Sequence, residues 1–140
     1  MMVVRTLFVV MLLSGCGFSQ TKVINFDLGG PLTTRAAQVD KWAEVGHTVE
    51  IRGVCYSACT MYLYMDNTCV SEDAVLGFHA PHNLFTKQVD REGVAIYRKY
   101  VRDTMLRDYD AHWSKTVEFS IFTGKELHEK YGINLCSEEG

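Results

Sequence analysis

Ser57, His79 and the pair Gly29-Gly30 are the residues whose types and order could do chemistry together. A serine hydroxyl is a poor nucleophile at neutral pH and needs a base within hydrogen-bond reach. His79 supplies one if the fold brings it to Ser57, and His82, past Pro81, ranks behind it as a substitute. A developing oxyanion then needs fixed donors, and the backbone N–H of Ala58 with one from Gly29 or Gly30 would provide them. The chemistry suggested is acyl transfer through a serine. Each residue also has an ordinary role, because serines cap helices and histidines end strands. The joint placement carries the weight.

The elements that must position these residues follow from the apolar pattern. Lys22–Leu28 places Val23, Ile24, Phe26 and Leu28 closely enough for a buried strand, and it stops at Gly29-Gly30-Pro31. Thr33 or Thr34 can cap a helix with Ala36, Val39, Trp42 and Ala43 along one side. His47–Val54 is a second strand with Val49 and Ile51 inward and Glu50 and Arg52 outward. Ser57–Met65 follows as a short buried helix, and Ala74–Phe78 as a third strand ending at His79. From Lys87 to about Trp113 the residues Val94, Tyr97, Val101, Met105 and Tyr109 make one helical stripe. Thr123 caps a last helix, Gly124–Lys130. The alternation of strand and helix predicts an α/β domain with a mainly parallel sheet and helical crossovers. In such sheets, strand-to-helix turns are where ligands sit, and Gly29-Gly30, Ser57 and His79 all fall there.

The first residues call for a separate reading. Arg5 gives a short positive region and Thr6–Leu13 an apolar run too short to span a bilayer. Leu13-Ser14-Gly15-Cys16 then resembles the lipobox of bacterial lipoproteins, in which the cysteine becomes the lipid-carrying N-terminus. That resemblance implies a signal peptide over 1–15, a lipid-anchored linker over 16–22 and a domain over 23–140. With Gly17 rather than Asp after the lipid site, it implies a periplasm-facing lipoprotein of the outer membrane. A formal charge of −3 gives no electrostatic footing for nucleic acid.

With Cys16 set aside, Cys55, Cys59, Cys69 and Cys136 remain, and in an oxidising compartment they suggest two disulfides. Three pairings are open. The expected one is Cys59–Cys69 as a local closure, with Cys55–Cys136 stitching the C-terminal end to the core. Zinc and redox readings of Cys55 and Cys59 are weak, since CxxxC without nearby ligands fits neither well. No metal or cofactor is expected.

Taken in order, Phe26-Asp27-Leu28-Gly29-Gly30, then Gly53-Val54-Cys55-Tyr56-Ser57-Ala58-Cys59, then Gly77-Phe78-His79-Ala80-Pro81 resemble the Clp-protease-like part of the crotonase superfamily. Thr123–Ile133, with Glu126 and Tyr131-Gly132, resembles that family's closing helix. The likeness runs from Val23 to about Asn134, and is nearest to small predicted periplasmic proteins with Cys-x-Ser-Ala-Cys around the serine. It implies a crotonase-like βαβ spiral and a serine peptidase site. Ser57 would be the nucleophile, His79 the general base, and the Gly29, Gly30 and Ala58 amides the oxyanion donors. The family's acid should fall near Phe119 or Ser120. Neither is acidic, so Glu118 is the nearest candidate and Asp110 the alternative. An exported form would act on peptides or unfolded segments without ATP, and Clp-like domains suggest a homo-oligomer. The competing expectation is a catalytically inactive binding module that keeps the fold.

Overall fold

A computed structural model describes residues 17–138 of the chain. The predicted signal segment and Cys16 lie outside the described residues. The fold is α/β, with a mixed, mostly parallel open sheet and helices. Strand β1 (Thr21–Asp27), helix α1 (Leu32–Val45) and strand β2 (Thr48–Tyr56) come first, and a 3-10 helix (Ser57–Tyr64) follows. Next come β3 (Thr68–Val70), β4 (Val75–Phe78), α2 (Arg91–Arg98) and α3 (Asp103–Ala111). The chain closes with β5 (Ser120–Thr123) and α4 (Gly124–Tyr131).

β2 is the hub of the sheet, and it alternates as a half-buried strand should. Val49, Ile51 and Cys55 face the helices and are fully buried, while Glu50 and Arg52 pair with each other on the opposite face. β1 runs parallel to it on one edge. On the other edge, β3 pairs with its first half and β4 with its second half, both parallel. β5 then adds antiparallel to β4, which makes the sheet mixed rather than wholly parallel. Val39, Met61, Leu63, Leu76, Met105, Tyr109 and Leu127 fill the space between sheet and helices.

Several boundaries differ from the sequence reading. Ser19 and Gln20 bond to Gly46 and His47, and β1 already begins at Thr21. Part of the expected linker is thus docked on the domain. The long helix expected over Lys87–Trp113 is two helices. The break falls before Arg102, whose guanidinium leaves the stripe to bond the Leu63 and Met65 carbonyls at the end of the 3-10 helix. The apolar stripe survives the break, with Tyr97, Val101, Met105 and Tyr109 all buried. At α4, Thr123 and Glu126 form a reciprocal capping box.

The disulfides correct the expected pairing. Cys55 bonds to Cys59 and Cys69 to Cys136. The reason is positional. Cys69 lies on β3, and the C-terminal stretch runs alongside that strand, with Leu135 bridging Val70 and the Cys136 amide donating to the Val70 carbonyl. Cys136 does stitch the C-terminal end to the core, but through β3. Cys55 closes β2 onto the start of the 3-10 helix instead. Bonded to each other, Cys55 and Cys59 offer no thiolate to a metal. Among the described residues no helix is long and apolar enough to cross a membrane.

Candidate active site

β1, β2 and β4 all end on one rim of the sheet, and their last turns carry the three motifs. The close approach begins with Gly29, whose φ of 100° suits glycine alone. A Cβ there would stand 2.8 Å from the Ser57 Cβ and 3.0 Å from the Ala58 nitrogen. Without a side chain, the turn after β1 can press directly on the serine.

Ser57 itself sits at φ 57°, in the left-handed region that non-glycine residues rarely adopt. Such strain costs on the order of 1–3 kcal/mol and persists only where surroundings enforce it. Three features do so. The Cys55–Cys59 bridge closes the turn on both sides. Thr60 Oγ1 donates to the Ser57 carbonyl at 2.7 Å, and a buried bond to the Tyr97 hydroxyl holds Thr60 in turn. Gly29 fills the third side. The result is a sharp strand-to-helix turn that lifts the hydroxyl clear of the backbone.

His79 follows β4 and directs Nε2 to the Ser57 Oγ at 2.8 Å. Its ring is largely buried, and burial holds its pKa below the usual 6.5. The neighbouring His82 pushes in the same direction and the Ala80 backbone opposes it. A neutral imidazole is the form a general base requires.

The expected acid is absent from the site. His79 Nδ1 is buried with no hydrogen-bond partner among the described residues. Phe119 packs its ring against the imidazole at 4.4 Å between centroids. The Glu118 side chain is exposed at a bend in the chain, where its amide donates to Thr116 Oγ1. Asp110 is an exposed ion-pair partner of Arg98. Neither carboxylate orients His79, and the arrangement is a dyad.

The oxyanion candidates divide in a way the sequence left open. The Gly29 amide is already spent, donating to Asp27 Oδ1 at 2.8 Å. Gly30 makes no such bond among the described residues, and it lines the cleft beside Ser57. Ala58 is the second residue of the 3-10 helix, where a helix cannot satisfy its own N–H groups. Gly30 and Ala58 are the amides left free to hold an anion.

Ser57 and His79 open into a cleft of about 990 Å³, at the upper end of the usual range for ligand sites. Its walls are mostly apolar, from Leu28, Leu32, Ile96, Val117 and Phe119, with His82, Lys87 and Asp90 among its polar groups. The loop after Pro81 contributes Leu84, and next to it Phe85 is 95% exposed. Sequence reasoning missed Asp27, Thr60 and Phe119. Asp27 had a signal, since an Asp two residues before a glycine turn commonly bonds the turn's backbone. Phe119 had none, because it lies just before β5 and its place against His79 follows from the antiparallel pairing of β5 with β4, which no local pattern announces. Comparison with protein-family models finds no match, and neither does comparison with curated proteins.

Proposed function

We propose that the protein is an ATP-independent serine hydrolase of the cell envelope, a peptidase of the Clp-protease-like, crotonase-superfamily kind. The observation that carries the reading is the 2.8 Å contact between His79 Nε2 and the Oγ of a serine held in a strained turn on a cleft. Ser57 Oγ attacks the substrate carbonyl carbon and passes its proton to His79 Nε2. The oxyanion rests against the Gly30 and Ala58 amides. As the C–N bond breaks, His79 returns the proton to the leaving amine, and water releases the acyl group by the same route. No cofactor enters these steps. The apolar cleft suits peptide or unfolded-protein side chains. The two disulfides fit an oxidising compartment, in keeping with a signal over 1–15, a lipid on Cys16 and a periplasm-facing outer-membrane site. Assembly into a homo-oligomer belongs to the same reading.

A second reading has its own observation. The bare Nδ1 of His79 leaves the imidazole without tautomer control, which in a triad costs about 10⁴ in rate. That favours a binding module that keeps the fold without turnover.

Hydrolysis of unfolded model proteins and short peptides, without ATP, separates the two. Products formed by the oxidised full chain and abolished by Ser57→Ala are expected. A folded parent that cleaves nothing, yet retains peptides in a pull-down equally with Ser57→Ala, would establish the binding module.

A further inference from the structure

Outside the serine–histidine contact, the most organised polar group on this rim is the pair Asp27–Arg35. It joins the end of β1 to the first turns of α1 at 2.6 Å, with both side chains largely withdrawn from solvent. A pair in that position is costly to desolvate, and replacing such pairs by apolar residues is often neutral or stabilising. Its geometry gives it a reason to exist. Asp27 Oδ1 accepts the Gly29 N–H at 2.8 Å while Oδ2 accepts from Arg35 Nη1. Arg35 Nη2 reaches the Gly29 carbonyl in a longer contact of 3.4 Å. The guanidinium is itself seated on the Tyr62 ring, 4.7 Å from its centroid, and Tyr62 stacks on Trp42. Both polar groups of Gly29 are therefore held, the N–H by Asp27 at the end of β1 and the carbonyl by Arg35 on α1.

The consequence falls on the next residue. The Gly29 carbonyl and the Gly30 N–H belong to one planar trans peptide and point in opposite directions. With the carbonyl drawn toward Arg35, the Gly30 N–H is turned away from it. Gly30 has φ 136° and no atom within 4 Å of where a Cβ would stand, so the peptide is held on its Gly29 side, by close packing on Ser57 and by these bonds, and not on its Gly30 side. We infer that Asp27 and Arg35 are positioning residues for the oxyanion site, locking the Gly29–Gly30 peptide so that the Gly30 amide faces the reacting carbonyl. This inference rests on the hydrolase reading.

The test is the second-order rate of fluorophosphonate labelling of the oxidised full chain, since the phosphonyl oxygen occupies the oxyanion position. Arg35→Gln should slow labelling at least about tenfold at a temperature where the variant is fully folded. The midpoint of the pH–rate profile, set by His79, should not move. Arg35→Lys keeps a charge for Asp27 but lacks the fork that reaches the Gly29 carbonyl, so its rate should fall between those of parent and Arg35→Gln. Asp27→Asn, which can still accept from the Gly29 amide, guards against a variant that fails to fold. If Arg35→Gln and Arg35→Lys lower the melting temperature but label at the parent rate, the pair only holds the fold and the inference is overturned. A shifted midpoint would mean that the effect passes through His79, which also overturns it. A folded parent that does not label defeats the hydrolase reading, and the inference falls with it. A labelled parent with unaffected variants defeats the inference alone.

Discussion

At the scale of single residues, the decisive group is an imidazole with one nitrogen engaged and the other bare. For His79 to accept the Ser57 proton at Nε2, its own proton must sit on Nδ1, which makes no full hydrogen bond among the described residues. An unsatisfied buried donor costs about 1–3 kcal/mol, so Ser57 should be a slower nucleophile than one in a full triad. The titration of His79 gives a sharper prediction. Burial first, and the charge of His82 second, hold its pKa below 6.5. The base form therefore persists to lower pH, and the acidic limb of labelling should have its midpoint below 6.5. His82→Gln removes the second cause and should move the midpoint upward, as labelling across a pH series would record. Stability follows the same sign. The unfolded state binds the proton more readily, so the contribution of His79 is present above pH 6.5 and is lost as pH falls through the lowered value. An unchanged midpoint in His82→Gln would contradict the cause assigned to the shift.

At the scale of elements, the two disulfides do different work, and their removal should separate stability from reactivity. Cys69–Cys136 spans 67 residues, and the chain-entropy model assigns a loop of that size about 4 kcal/mol. Cys55–Cys59 spans only 4, worth about 2 kcal/mol by the same model, but it encloses Ser57. Cys69→Ser with Cys136→Ser should cost more stability in urea and leave labelling of the folded fraction intact. Cys55→Ser with Cys59→Ser should cost less and lose most labelling. Local pattern made much of this frame legible. Val49 and Ile51 announced a half-buried strand, Thr123 announced its helix cap, and the turns carrying Gly29, Ser57 and His79 fell at strand ends by spacing alone. What stayed hidden depended on contacts distant in sequence. β3 is three residues long, too short for a period to register. The pairing of Cys69 with Cys136 follows from the C-terminal stretch lying beside that strand. The missing acid was legible in part, since neither Phe119 nor Ser120 is acidic, and Asp27 hinted at the spent Gly29 amide; what stayed hidden was that Glu118 and Asp110 both turn to solvent instead of to His79.

At the scale of the whole molecule, the chain enters and reacts at opposite ends. Gly17 to Gln20 lie against Val45, Gly46 and His47, at the start of β2, while Ser57 follows its last residue. Nine residues at roughly 3.3 Å each set about 30 Å between the two ends. A protein held by its N-terminal side should therefore present the cleft outward. Immobilising the chain through a tag placed before Gly17 should leave the labelling rate close to that in solution, whereas a cleft facing the support would lose accessible sites. All of these expectations hang on whether Ser57 is an activated nucleophile. The most direct measurement is the mass of the Ser57 peptide after exposure of the oxidised full chain to a fluorophosphonate, beside His79→Ala. A phosphonyl adduct on Ser57 is expected in the parent and at most a trace in His79→Ala. An unmodified Ser57 in a folded, fully oxidised parent, or equal modification in His79→Ala, would contradict it.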